Sequence, residues 1–288
     1  MMFDNSGGPA ANCERGDMTA NKTVLITGCS TGIGRAAAEL FQKNGWQVVA
    51  SMRNPEAGKE LAALEGVLVV RLDVTNESSI QAAIASAVER FGGIDVLVNN
   101  AGYGAYGVLE ATSLDTMRRQ FETNVIGPLA VTKAVLPGFR QRGSGVVVNV
   151  SSIAGRLTLP LGSLYCGSKF ALEGISEALS YEMDAIGVRV KVVEPGFIRT
   201  NFANAIEFSN DVSLREYQGL VARLFEVAGS LTANSPEATV AAEAIYTAAT
   251  DGTSQLRYTA GEDAKQWSAQ RASQDDATFF REMRALWL

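Results

Sequence analysis

The stretch Thr23–Gly34, TVLITGCSTGIG, sets a short run rich in β-branched residues directly against a glycine-rich turn. A helix-forming stretch follows from Ile33. Glycine lets a backbone turn tightly and approach an anion, and the free amides at the start of a helix hold that anion's charge. Strand, glycine turn and helix in this order therefore read as a phosphate-binding βα unit, with Gly28, Ser30, Gly32, Ile33 and Gly34 against the ligand. Three residues separate Gly28 from Gly32, so the spacing departs from the common G-x-G-x-x-G pattern. A glycine-rich loop without a ligand is the plainer alternative; the flanking strand and helix favour nucleotide binding.

Outward from this unit the same alternation continues. Apolar runs occur at Thr23–Thr27, Gln47–Met52, Val67–Leu72, Ile94–Asn99, Val146–Val150 and Val188–Val193. Helix-like stretches lie between them at Ile33–Asn44, Glu56–Glu65, Glu77–Phe91, Leu114–Gln141 and Leu164–Ile186. Strands this uniformly apolar are buried on both faces, as in a parallel sheet covered by helices. The pattern predicts one doubly wound α/β domain over residues 21–262, of mainly parallel sheet with helices on both faces. Residues 1–20 are polar and glycine-rich and read as a disordered leader without a secretory core. After Thr200 the alternation breaks. A helix is expected from Ser235-Pro236, a short strand near Leu256–Tyr258, and a helical extension over 263–288.

Composition narrows the chemistry. The chain has 288 residues, is 47% hydrophobic and 19% charged, and carries a net charge of −6. Such a charge provides no electrostatic case for nucleic acid, and no uncharged run reaches the length of a membrane span. Three scattered cysteines are an odd set and point to a reducing, cytoplasmic compartment. There is no histidine, which removes Ser-His-Asp and Cys-His mechanisms and His-ligated zinc together. No metal site is expected, and proton transfer needs another residue.

Two further features suggest what that residue is. Tyr165 and Lys169 share one helix face, four residues apart. An ammonium about 4 Å away, at an effective dielectric near 20, is worth about 4 kcal/mol, enough to draw a phenol towards neutrality. Such a tyrosine can act as acid or base, although Tyr-x-x-x-Lys alone is common on helix surfaces. The second strand ends in Ser51-Met52-Arg53 with no acid before Glu56. An arginine there accommodates a 2′-phosphate, whereas a carboxylate would bind a 2′-hydroxyl. An exposed arginine opening a loop is the alternative.

Taken together, Thr27–Gly34, Asn99–Gly102, Asn124, Ser151-Ser152, Tyr165-x-x-x-Lys169 and Pro195-Gly196 resemble the short-chain dehydrogenase/reductase family across residues 22–260. Tyr165–Gly174 further resembles the branch containing hydroxysteroid and retinol dehydrogenases. The resemblance implies a Rossmann-type fold with Tyr165 as general acid/base. Lys169 would hold the ribose and lower the tyrosine pKa. Ser152 would hydrogen-bond the substrate oxygen, Ser151 being the less favoured neighbour, and Asn124 would bind a water linking Lys169 to solvent. Asp73 and Val74 would border the adenine, and Asn100, Ala101 and Gly102 the ribose. Pro195, Gly196, Ile198 and Thr200 would border the nicotinamide, with Ser30 joining Arg53 at the 2′-phosphate. Without the family pattern, Asp73 reads as a helix cap, Asn100 as a turn former and Asn124 as a polar interruption of a helix.

The expected function is an NADP(H)-dependent carbonyl reductase or alcohol dehydrogenase. An NAD-preferring dehydrogenase and a non-catalytic NADP-sensing module are the alternatives. The resemblance places residues 201–230 over the nicotinamide as a substrate lid. Its Phe202, Ile206, Phe208 and Tyr217 favour a bulky lipophilic ketone or alcohol. It also implies a homodimer or homotetramer paired through the helices at Leu114–Gln141 and Leu164–Ile186.

Overall fold

The computed structural model describes residues 22–288, so the expected leader lies outside the described residues. Among the described residues nine strands run β1 (Thr23–Thr27), β2 (Gln47–Met52), β3 (Val67–Arg71), β4 (Val96–Asn99), β5 (Gly104–Gly107), β6 (Gly145–Val150), β7 (Val188–Pro195), β8 (Ile206–Ser209) and β9 (Arg257–Ala260). Seven of them form one sheet in the order β3-β2-β1-β4-β6-β7-β9, with every pairing parallel. Strand order reverses between β1 and β4. Ligands of open α/β sheets bind beyond the carboxyl ends of the strands at that switch point.

Side-chain alternation explains how one apolar run serves two layers. Val24 and Ile26 of β1 face a core shared with Val48, Ala50, Phe41 and Ile245, under the helices Gly32–Lys43 and Ala238–Thr250. Leu25 faces the opposite core with Val49, Leu97, Ile80 and Val135, under Glu77–Phe91 and Gly127–Arg142. Burying each such side chain contributes about 1.5–3 kcal/mol. The domain is thus doubly wound around β1, which holds the glycine turn at the switch point.

Two local expectations need correction. The expected helix Glu56–Glu65 is a 3-10 turn, Pro55–Gly58, followed by a short helix that ends at Ala62. The expected continuous helix Leu114–Gln141 is three pieces: Leu114–Phe121, a widened π-helical turn at Glu122–Ile126, and Gly127–Arg142. The widened turn rotates Asn124 inwards, where it is buried and donates to the Tyr103 carbonyl (2.9 Å). Residues 201–230, expected as a substrate lid, fold into three elements. They comprise the turn Asn201–Ala205, strand β8 and most of the helix Arg215–Thr232. Strand β8 pairs in parallel with β5 as a separate two-stranded sheet.

Candidate active site

The glycine turn is held from two sides. The Gly28 and Cys29 amides both donate to the Ser51 carbonyl at 2.9 Å, tying the turn to the end of β2 beside Arg53. From β4, Asn100 Nδ2 donates to the Thr27 carbonyl (2.9 Å) and the Gly28 carbonyl (3.2 Å). The amides of Asn100 and Ala101 in turn donate to Thr27 Oγ1. Gly28 has φ +77°, and a Cβ there would lie 2.9 Å from Ala101 Cα. Gly32 has φ +59°, and its Cβ would lie 3.3 Å from Thr200 Cβ. A Cβ on Gly34 would overlap Asn100 and the Gly28 carbonyl. Gly28, Ser30, Gly32, Ile33, Gly34, Asn100, Ala101 and Thr200 are therefore gathered around the first turn of one helix.

That helix start suits an anion. Thr31 precedes it without a side-chain cap, and its first turn carries no acidic residue, so its amides are free to hold a phosphate. Arg53 is exposed just past β2. Asp73, just past β3, accepts from the Thr75 amide (3.0 Å) and hydroxyl (2.8 Å), closing a turn ahead of the helix Glu77–Phe91, whose cap is Asn76 and not Asp73. Burial pushes the Asp73 carboxyl up, but the Thr75 bonds and the charges of Arg53 and Arg71 outweigh it and hold it below its ordinary value. The cradle and its donor set fit a dinucleotide phosphate. Val74 is buried and would meet a Cβ placed on Gly127.

Across the switch point stand the groups with proton chemistry. Ser152 follows β6; its hydroxyl accepts from the Ala154 amide (3.1 Å) and donates to the Pro195 carbonyl (3.5 Å). Tyr165 and Lys169 lie on the helix Ser163–Asp184, both buried. Burial pushes the Tyr165 phenol up to about 12, against a lowering hydrogen bond from Ser152. Lys169 Nζ donates to the Val150 carbonyl (2.9 Å) and sits 5.8 Å from the centroid of the Tyr165 ring. Burial draws Lys169 down to about 8, opposed by the charge of Glu173. Spacing reads Lys169 as lowering the phenol; without a nucleotide charge beside it, burial outweighs that effect, and the ammonium is engaged with a backbone carbonyl. Ser151 Oγ is buried without a hydrogen bond and lies against Gly155, so Ser152 is the serine beside Tyr165.

Asn124 accepts from the Tyr103 amide (3.1 Å) and reaches Ser168 Oγ (3.3 Å). Its side chain fixes the 102–103 backbone and makes no hydrogen bond to Lys169 among the described residues. On the far side, Pro195, Gly196, Ile198 and Thr200 leave the end of β7. The Gly196 amide donates to the Ala260 carbonyl (2.9 Å), and the Thr200 hydroxyl accepts from the Phe202 amide (3.1 Å).

Several residues of this region escape a reading of the sequence. Asp263 Oδ2 accepts the Phe197 amide at 2.6 Å, and the Phe197 ring meets Trp267 edge-on at 5.9 Å. Tyr106 of β5 stacks on Tyr165 with centroids 5.3 Å apart, and Phe202 lies at 5.8 Å. Strand β5 and the turn Asn201–Ala205 thus lay an aromatic cover over the phenol. Behind Lys169, the buried Glu173 and Glu194 share Arg257, at 3.0 and 3.6 Å. Burial and Glu173 push Glu194 up to about 7. Arg257's partners lie 84 and 63 residues away, beyond any local spacing signal.

A phosphate cradle on one side of the switch point and a Ser–Tyr–Lys group on the other define a nucleotide-dependent oxidoreductase. Comparison with known proteins agrees. The family model for short chain dehydrogenases matches residues 22–210. An uncharacterized oxidoreductase of Schizosaccharomyces pombe is 47% identical over 229 residues, covering 79% of this chain and 96% of that protein. Human retinol dehydrogenase 8 is 39% identical over 209 residues, covering 69% and 66%. The crystal structure of a short-chain dehydrogenase from Streptomyces avermitilis superposes with a TM-score of 0.80 at 35% identity, covering 93% of this chain and 96% of that one. The chain belongs to the short-chain dehydrogenase/reductase family, in its retinol and hydroxysteroid dehydrogenase-like branch.

Proposed function

We propose that this oxidoreductase uses NADP(H) to reduce a lipophilic ketone or aldehyde, or to oxidise the corresponding alcohol. The adjacency of Ser152, Tyr165 and Lys169 beneath an aromatic cover, opposite a glycine cradle, carries this reading. A bound dinucleotide supplies or accepts the hydride. In reduction, Tyr165 Oη delivers a proton to the substrate oxygen while Ser152 Oγ hydrogen-bonds that oxygen. Burial raises the phenol to about 12 in the protein alone, too weak an acid for efficient transfer, so the Lys169 ammonium and the bound dinucleotide would have to draw it back towards neutrality. The Lys169 charge stabilises the phenolate left behind.

The choice of NADP rests on Arg53, because related structures of 27% identity are known with NAD and with NADP. Arg53 and the uncapped helix start favour a phosphate, and no acid stands where a ribose hydroxyl would be bound. A purely sensory module gains nothing from a buried Ser–Tyr–Lys group, which argues against that reading. Tyr106, Leu159 and Phe202 around Tyr165 favour apolar substrates, since burial of such a surface contributes about 25 cal/mol per Å2. The experiment is NADPH consumption across ketones of rising apolar size. Rising kcat/KM supports the reading, and a flat trend or a preference for charged substrates refutes it.

Assembly and setting follow the same logic. Phe121, Ile126, Phe170 and Tyr181 are exposed on the helical segments over 114–142 and 163–184, which supports a homodimer or homotetramer paired there. A monomer mass by light scattering at micromolar concentration would refute it. Two buried free thiols, Cys29 and Cys166, support a reducing, cytoplasmic setting. No described helix is long and apolar enough to cross a membrane.

A further inference from the structure

Between Ser152 and Tyr165 the chain makes a loop whose last turn contains a bulky residue in an unfavourable conformation. Leu161 has φ +55°, and among the described residues it is the one non-glycine residue with positive φ. A branched L-residue avoids this region because its Cβ crowds the following carbonyl, so it persists only where the surroundings over-determine it. Such outliers gather at ligand clamps. Two sets of contacts bear on this one. First, the Leu161 carbonyl accepts the Gly107 amide at 2.7 Å, which ties the loop to the end of β5. The next residue, Gly162, lies so close to the Tyr106 ring that a Cβ there would be 3.0 Å from it. Tyr106 is the ring stacked on Tyr165.

Second, Leu159 and Leu161 pack on a buried cluster of Leu224, Val227 and Trp287. Trp287 is 1% exposed and belongs to the helix Asp276–Trp287. Arg223 adds a bond from the helix Arg215–Thr232 to the Leu286 carbonyl (3.1 Å). A line of packing and hydrogen bonding thus runs from the Leu224, Val227 and Trp287 cluster through Leu161 and Gly107 to Tyr106 and the ring of Tyr165. Leu159 packs both on this cluster and on the one that contains Tyr165, while Trp287 itself belongs to neither the catalytic group nor the glycine cradle.

We infer that Trp287 is a positioning residue: it clamps Leu161 in the left-handed conformation, and so holds the 157–162 loop and Tyr106 as the substrate-facing wall beside Tyr165. This deepens the proposed carbonyl-reductase reading and rests on it for the identity of the substrate. Loss of the indole removes the packing that holds Leu161, and the loop relaxes towards ordinary φ. A strained residue of this kind weighs on the order of tenfold in the population of its loop. Glycine adopts positive φ freely, so Leu161→Gly should let the loop keep its native path without the clamp.

The test compares wild type, Trp287→Ala, Trp287→Phe and the double variant Trp287→Ala/Leu161→Gly by two readouts. One is the steady-state kinetics of a bulky ketone with NADPH; the other is hydrogen exchange at the Gly107 amide. Trp287→Ala should raise KM for the ketone, and speed Gly107 exchange, by about tenfold each, with NADPH affinity unchanged. Trp287→Phe should stay near wild type, and Leu161→Gly in the Trp287→Ala background should return both readouts towards it. If Trp287→Ala does not fold, Trp287→Leu carries the same comparison. An unchanged KM in the folded variant overturns the inference. So does an equal loss of NADPH affinity, or a failure of Leu161→Gly to restore either readout. If wild type reduces no ketone, the functional reading fails, while the exchange readout still decides whether the clamp exists.

Discussion

Asp263 makes the clearest case of a residue whose importance is visible only in three dimensions. It lies in the first turn of the helix Glu262–Ser273, and its carboxylate accepts the amide of Phe197, between two residues assigned to the nicotinamide border. Gly196 and Gly261 both lie so close to this carboxylate that neither could carry a Cβ without displacing it. Asp263→Ala removes a charge-assisted hydrogen bond, worth about 1.5–3 kcal/mol when desolvated. It also removes a favourable charge at a helix start, worth about 0.3–1 kcal/mol. Asp263 is only half-buried, which places the sum near the lower end, about 2 kcal/mol. If half of that falls on loop geometry and half on global stability, NADPH affinity drops about fivefold. Melting then falls by only a few degrees, at about 2–4 °C per kcal/mol for this size. Asp263→Asn keeps an acceptor of the same shape and should fall between wild type and Asp263→Ala. The assay is a fluorescence titration with NADPH alongside thermal melting. An Asp263→Ala protein that melts lower yet binds NADPH as tightly as wild type would refute any coupling between this carboxylate and the cofactor loop.

Arg53→Ala should raise KM for NADPH about tenfold to a hundredfold and leave NADH nearly untouched, since only the 2′-phosphate contact is lost; equal losses with both cofactors would contradict the assignment. Glu194, raised to about 7 in the folded protein, binds its proton more tightly there than in the unfolded chain. Its stabilising contribution is therefore complete below about pH 4.3 and is lost as pH rises through the folded value. Glu194→Gln should melt with wild type near pH 4 and above it near pH 8, as differential scanning calorimetry at the two pH values would report. Lys191 is buried with its ammonium on the Thr253 and Gln255 carbonyls (2.7 and 2.8 Å) and the Tyr258 hydroxyl (2.9 Å). Lys191→Met strands these acceptors and should destabilise by about 3–5 kcal/mol in urea unfolding.

Much of the fold was written locally. The bounds of β1, β2 and the helix Glu77–Phe91 follow from β-branched runs and helical propensity, and the structure reproduces them residue for residue. The glycine turn was equally open to reading, because strand, glycines and helix adjoin in sequence. What escaped depends on distant partners. The π-helical turn at Asn124 is drawn inwards by Tyr103 and Ser168, which no periodicity in residues 114–141 records. Strand β5 contains two glycines, an alanine and a tyrosine, without β-branched residues, and exists because β8 lies alongside it a hundred residues later. The raised Tyr165 pKa lay out of reach for a related reason: pairing with Lys169 can be read from spacing, but the depth of burial that opposes it cannot.

The central claim is that Tyr165 moves the proton while the glycine cradle and Arg53 hold the dinucleotide independently of it. Tyr165→Phe keeps the ring that stacks with Tyr106 and Phe202 and removes only the hydroxyl. The decisive measurement is single-turnover reduction of a bulky ketone by Tyr165→Phe with NADPH, paired with NADPH binding to the same protein. The account predicts a fall in rate of at least a hundredfold, the usual weight of a lost general acid, with NADPH affinity within about twofold of wild type. A variant that turns over at the wild-type rate would contradict the mechanism outright.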